Sequence, residues 1–387
     1  MNDIDYKKKY FSIPDVLIRS LWVVYIVINL SQSLGLSENI NRLFSYSTFF
    51  LSFALIFFSF IKIQTKKQSL VLYLLLVIIM LSFISTLDNI GKYNLNYYVK
   101  YLNFICVIFS YFWGSYLKIT ESTKQFILSS NIILGLLLVL LSIIKPYNEI
   151  GQMTLGMSNP NSTGILLFYN LIFNLIAIYN TRKKTVRYCV SALYVCEVVL
   201  LFMANSRSTL ICSLLIIIII WLNIKIPKWF ILLCTVWPMI FVTIYIYLYQ
   251  NKIIPVDFKI LNKAFFTFRE RIWIGIYQLL NKDLWLGHYA NFHNEMLHNS
   301  HFDLMVQYGI ITLIVVVLYL YIIITRLNDG ANLSIVGKIS LVGILLAIVQ
   351  GSSESAVLDG GLAAYICTGS LLLFMRDSST DKKNKFI

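Results

Sequence analysis

Charge is what this chain has least of. Only 13% of its 387 residues are charged, against 58% that are hydrophobic, and the mean hydropathy is +0.74. A soluble domain must cover its outside with polar groups, whereas a protein solvated by lipid need not. The scarcity therefore excludes a soluble globular architecture. Length alone would suggest about two or three soluble domains; here it indicates one integral membrane domain over residues 1–387. The chain also has no Cys-x-x-Cys pair. Cys106, Cys189, Cys196, Cys212, Cys234 and Cys367 all fall in apolar stretches, which argues against a disulfide framework and against a cysteine metal site. A cleavable signal pattern is missing too, and the first apolar stretch, from about Leu17, is long enough to remain as a membrane helix. No internal repeat is visible, so an inverted-repeat transporter has no support.

What is abundant is apolar sequence in long runs. A spanning helix needs ~20 mostly apolar residues, because it must satisfy its own backbone across the hydrocarbon. On that basis the chain predicts an all-α polytopic bundle of about twelve transmembrane helices. The expected starts lie near Leu17, Ser47, Ser69, Tyr97, Phe126 and Ser162, then Arg187, Ser208, Trp229, Phe302, Ile335 and Gly361. The weakest signals are the fourth, rich in Tyr and Asn, and the Gly-rich last two. The spans cover about residues 17–250 and 302–375, leaving a loop at 251–301.

The net charge of +14 does not indicate nucleic acid, because the basic residues sit in short runs between apolar stretches. That is the pattern of cytoplasmic anchoring. Placing Lys7, Lys8 and Lys9 in the cytoplasm puts most of the basic residues on that side, including Lys66, Lys67, Arg182, Lys183, Lys184, Lys225, Lys228, Arg326, Lys338, Lys382 and Lys383. Both termini are then cytoplasmic, and the loop 251–301 is extracytoplasmic. Phe265, Phe266, Trp273, Ile274, Ile276 and Tyr277 recur near helical spacing, which predicts short amphipathic helices lying on the outer leaflet.

All four histidines, His288, His293, His298 and His301, fall in or just after that loop. They are open to three readings: a polar loop, a metal site or an acid–base group. The spacing matches no known zinc signature, and the nearby carboxylates are few. His298 immediately precedes the tenth expected span, where lipid-borne phosphates would lie. Arg207 sits at the start of the eighth span within Ala204-Asn205-Ser206-Arg207-Ser208. A guanidinium at a helix N-terminus suits an anion, although an arginine there can also simply snorkel to the interface. Arg269 and Arg271 flank Glu270 just before Trp273; alone they could be a solvated turn. Gly156-Met157-Ser158-Asn159-Pro160-Asn161 reads as a tight turn with Asn161 or Ser162 capping the sixth span. Glu354 is expected at the outer end of the eleventh span, as a second-rank base or an arginine partner. Glu197 is expected within the seventh span as a neutral or paired structural residue with no other polar group at its depth. All these features but Glu197 land on the outer face in a topology drawn from charge and hydropathy alone.

Four local patterns carry a resemblance: Gly156 with Asn159-Pro160-Asn161, Ser206-Arg207-Ser208, Arg269 ahead of Trp273 and Leu286-Gly287, and His298-Asn299 ahead of Gly309. In that order, over residues 150–315, they resemble the O-antigen polymerase and O-antigen ligase superfamily, which includes capsular polysaccharide polymerases. The resemblance implies a GT-C-like helical fold and a metal-independent glycosyltransferase with no cofactor, in a bacterial cytoplasmic membrane. Its substrates would be an undecaprenyl-diphosphate-linked glycan donor and a glycan acceptor, with membrane lipid and a chain-length regulator protein as further partners and no nucleic acid. It implies that Arg207 and Arg269 bind the donor diphosphate and that His298 activates or positions the acceptor hydroxyl. Arg271 could replace Arg269, since the Arg-Glu-Arg run can be aligned two residues either way, and Phe268 stands where the family usually has glycine. Asn159, Asn161, Asn299, His301 and Glu354 would contact the diphosphate or the glycan. A ligase would need the same grip and base. A lipid-linked oligosaccharide transporter should instead place charges within the spans, which are poor in them.

Overall fold

The computed structural model describes residues 12–35, 38–61, 66–87, 95–144, 153–157, 160–260, 263–266, 269–280, 285, 287, 297–329, 333–353 and 362–380. Among them the chain is a helical bundle: α1 (Ile13–Leu34), α2 (Glu38–Phe60), α3 (Lys66–Leu87), α4 (Leu95–Tyr116), α5 (Glu121–Ile144), α6 (Pro160–Asn180), α7 (Lys184–Ala204), α8 (Arg207–Trp221), α9 (Lys228–Gln250), α10 (Arg269–Leu280), α11 (Ser300–Asp329), α12 (Ile335–Gln350) and α13 (Leu362–Thr380). Between α9 and α10, β1 (Lys259–Ile260) and β2 (Lys263–Ala264) pair antiparallel, with Lys259 opposite Ala264 and Ile260 opposite Lys263. Seven helices (α1, α3, α5, α6, α7, α9 and α11) are long and apolar enough to cross a bilayer. The fold is therefore that of a multi-pass membrane protein.

Successive long helices alternate between two ends of the bundle. At one end Ser12 and Asp15 form a capping box on α1. There Asp15 also accepts from Thr120 N and Thr120 Oγ1, both at 2.9 Å, just before α5. The same end holds the Lys124–Asp377 pair at 3.2 Å and the Lys228–Asp329 pair at 2.6 Å. Arg326 lies over the Tyr116 ring at 4.6 Å, and Lys338 donates to Asn223. This is the Lys338 end. The other end gathers the starts of α6, α8 and α11 and the end of α12, and is called the Arg207 end.

α6, α12 and α13 form the centre and are buried on nearly every side. Helices gain little from burying apolar surface away from lipid, so close backbone approach matters more. A Cβ on Gly114 of α4 would stand 2.5 Å from Gly369 O of α13, and a Cβ on Gly369 would stand 2.2 Å from the Trp113 ring. The glycine that weakens the apolar signal of α13 is what lets it nest against α4.

Glu197 has company at its depth, contrary to the sequence expectation. It is fully buried on α7. Asn170 and Asn174, one turn apart on α6, donate to its two carboxyl oxygens at 3.1 and 2.9 Å. Asn131 of α5 donates to Asn174 Oδ1 at 3.0 Å and to Asn170 O at 3.1 Å. The cluster fastens α5, α6 and α7. Asn174 is its relay, because its amide both accepts and donates. Asn174→Leu orphans partners on both sides and is expected to cost about 1–3 kcal/mol. Glu197→Gln can keep the cluster once the Asn170 amide turns over, since Asn170 Oδ1 has no partner. Thermal unfolding of the purified variants checks this; equal losses in the two would sink the relay.

Candidate functional site

The site is built around a helix that lacks one of its own hydrogen bonds. Pro238 lies inside α9, where it has no N–H to give and crowds the preceding turn. Side chains from the start of α11 take carbonyls near it. His301 Nε2 meets Thr235 O at 2.7 Å, and Asn299 Nδ2 donates to Pro238 O at 2.9 Å. Asn299 Nδ2 also donates to Ser352 O at 3.0 Å, while Asn299 Oδ1 accepts from Phe302 N at 2.8 Å and so caps α11. Ser300 N and Ser300 Oγ donate to Gly351 O at 2.8 and 3.1 Å. Asn299 and His301 are both completely buried. They hold the start of α11 in place rather than lining an open surface.

His298 occupies the same web with a different exposure. Leu297 O accepts from Trp273 Nε1 at 2.7 Å, and Asn299 is fixed as above. His298, between them, is half-buried and has φ +53°. A non-glycine residue in this left-handed region costs about 1–2 kcal/mol, a cost that persists only where the surroundings impose it. The pinned neighbours impose this backbone turn just ahead of the regular helix.

The arginines arrive from two further helices. Arg207 is the first residue of α8, with Ser206 at the N-cap. Thr209, one turn on, shares a hydrogen bond with Ser206 Oγ at 2.9 Å and accepts from Gln350 Nε2 of α12 at 2.6 Å. Arg269 opens α10 and donates from Nη1 to Ser353 O at 2.6 Å. Both helix starts are tied to the end of α12, through Thr209 to Gln350 and through Arg269 to Ser353. Two of these helices are short: α8 has 15 residues and α12 has 16, about 22–24 Å at 1.5 Å per residue.

Of the short helices expected in the loop, one is present among the described residues, α10, and it packs against α9. Trp273 and Phe266 are buried against α9. Tyr245 stands 5.3 Å from Trp273 and 5.1 Å from Phe266, and Tyr245 Oη donates to Phe265 O at 2.7 Å. Aromatic rings of this size gain more from mutual packing than from the headgroup layer. Arg271 is exposed and Glu270 is buried, so the Arg-Glu-Arg run is not a solvated turn.

The last two patterns meet inside the bundle. Gly309 interrupts α11 with φ 88° and ψ 164°, a conformation essentially restricted to glycine. Gln307 O, freed by the break, accepts from Ser85 Oγ of α3 at 2.8 Å. Gly287, with φ +80°, packs on the break so tightly that a Cβ would stand 2.6 Å from Gly309 N. Gly156, also at φ +80°, lies against Ser33 O. Pro160 opens α6, so Asn161 lies within the first turn instead of capping it. Asn159, Glu354, His288 and His293 lie outside the described residues.

A scan of protein-family models and searches of curated proteins and of solved structures returned no match. The class defined by the fold is a multi-pass helical membrane protein; the candidate site gathers Arg207, Arg269 and His298 around helix ends. Two variants test the frame. Gly309→Ala is expected to destabilise the protein by about 1–3 kcal/mol through backbone strain. Asn299→Leu, which strands two carbonyls and a helix N–H, is expected to cost at least about 1–3 kcal/mol. Thermal unfolding in detergent reads both; unchanged midpoints would show that the web does not carry the site.

Proposed function

We propose that the protein is a membrane-embedded glycosyltransferase that polymerises polyprenyl-diphosphate-linked oligosaccharide repeats into a surface polysaccharide. The observation that carries the reading is that Arg207 and Arg269 open two helices tied to neighbouring residues at the end of α12, with the left-handed His298 next to Asn299, which bonds the same segment. Guanidiniums gathered at one place suit an anion. A diphosphate is an anion of suitable charge, and lipid linkage explains why the site belongs to a membrane bundle.

The chemistry is one displacement. The acceptor hydroxyl oxygen attacks the anomeric carbon as its bond to the diphosphate oxygen breaks, and the configuration inverts. The carbon passes through an oxocarbenium-like state while the leaving diphosphate gains negative charge. Donors aimed at such charge in a dry site are worth ~3 kcal/mol each. His298 takes the hydroxyl proton as the new bond forms, an aid of ~100-fold or more. Asn299 and His301 serve as positioning residues, and Asn161, Asn159 and Glu354 remain glycan contacts of the proposal.

The remaining assignments follow from charge. The Lys338 end carries the basic runs, so the positive-inside rule puts it in the cytoplasm with both termini. The Arg207 end is then extracytoplasmic, the twelve helices other than α10 are the spans, and the bundle is GT-C-like in a bacterial cytoplasmic membrane. A chain-length regulator protein is a further proposed partner. A ligase, which moves finished glycan to another acceptor, is the second reading, because the same diphosphate grip serves it.

Reconstituted with lipid-diphosphate repeat units, the protein should give a ladder of products. Arg207→Ala and Arg269→Ala should each lower the rate by at least ~100-fold, His298→Ala by a similar factor, and Arg271→Ala far less. Transfer only to a different acceptor would favour the ligase. Long polymer from correctly inserted His298→Ala and Arg207→Ala proteins would defeat the mechanism.

A further inference from the structure

The Lys338 end holds a cavity that the reaction does not use. It has a volume of about 260 Å³ and lies between the end of α8, the α8–α9 connection, the end of α11 and the start of α12. At ~30 Å³ per water, that is room for roughly nine waters, enough for a phosphate and its glycerol but not for a whole lipid. The inner wall is apolar, formed by residues such as Ile219, Ile220, Leu341 and Val342, while Lys225, Lys338 and Asn328 supply the polar part.

Three further observations say what belongs there. The local charge is positive: Lys228 is paired with Asp329 at 2.6 Å, while Lys225 and Lys338 line the cavity with no carboxylate on either among the described residues, one donor of Lys338 being held by Asn223. Lys338 also stands in the first turn of α12, where the helix already presents positive charge and a cation is disfavoured unless an anion is present. Finally, the depth is interfacial. Trp221 ends α8, Trp229 begins α9, and both are exposed, as aromatic anchors at headgroup level are. From that level Ile218, Leu214 and Ile211 run along α8 as an exposed apolar stripe.

We propose that this cavity binds the phosphate headgroup of an anionic glycerophospholipid. The phosphate lies between Lys225 and Lys338, the glycerol enters the Ile220–Leu341 wall, and the acyl chains follow the exposed stripe of α8. Asn328 is not free to rotate toward the ligand, because its amide donates to Ile226 O at 3.0 Å; it shapes the floor. The site is independent of the glycosyl-transfer reading, as it lies at the other end of the bundle.

The test is lipid binding to the full chain in detergent, read by native mass spectrometry, with phosphatidylglycerol, phosphatidylcholine of the same acyl chains, and inorganic phosphate as probes. Phosphatidylglycerol should bind more tightly than phosphatidylcholine. The double variant Lys225→Gln/Lys338→Gln should weaken it about 30-fold, since each lysine near a lipid surface is worth about fivefold. Leu341→Trp, which fills the apolar wall without changing charge, should also abolish the preference and covers the case in which the double variant does not fold. Equal binding of the two lipids, a preference that survives both variants, or competition by inorganic phosphate at the concentration of the lipid would each overturn the proposal. The last outcome would assign the cavity to a free anion.

Discussion

Hydrocarbon offers no partner to a peptide N–H or C=O, and this constraint orders the whole molecule. Inside a helix it is met automatically. Wherever a helix is broken or ends within the bundle, a side chain must replace the missing bond. Pro238 of α9 and Gly309 of α11 are such breaks, and the end of α12 at Gln350 is such a terminus. Side chains of Asn299, His301, Ser300 and Ser85 bond carbonyls beside these breaks and ends. Three of these four lie in consecutive positions, so one short segment repairs α9 and α12 together. A site framed by helix ends is expensive in lipid, and here the repair and the site are the same piece of chain.

The same constraint accounts for the polar groups far from the site. Asn131, Asn170, Asn174 and Glu197 hydrogen-bond one another across three helices. Lipid would leave each of them unpaired, so the cluster fixes which faces of α5, α6 and α7 meet. Gly114 and Gly369 do the corresponding work for α4 and α13 by shape alone.

The helices themselves were legible in the sequence because the solvent writes them. Every expected start lies within or next to a helix, and most agree to a few residues. The poorest, Ser47, falls nine residues inside α2, whose opening Glu38-Asn39-Ile40-Asn41-Arg42 is polar and hides the helix from hydropathy. The patterns at Arg207, Arg269, His298, Gly287 and Gly309 were visible as residues, and the fold ties the helix starts at Arg207 and Arg269 to the end of α12 and brings Gly287 onto Gly309. What was not legible is direction. That Asn299 and His301 turn inward depends on carbonyls of Pro238 and Thr235, more than sixty residues away. The companions of Glu197 were hidden for a similar reason: an asparagine within an apolar run carries no mark of the helix it will face. The inward seat of α10 follows from Tyr245 and Phe266, which periodicity within the loop cannot reveal.

The shortness of α8 reaches beyond the protein. Trp221 and Trp229 fasten its far end at headgroup level, and 15 residues carry it only about 22 Å across a hydrocarbon layer of about 30 Å. The shortfall falls at Arg207. The equally short α12 is shielded by its neighbours, but α8 faces lipid, so hydrophobic mismatch is felt on one flank of the bundle. Bilayer thins to meet such a helix at a cost of fractions of a kcal/mol per Å. If α8 spans as proposed, the bilayer beside it would be the shallowest part of the annulus around the bundle.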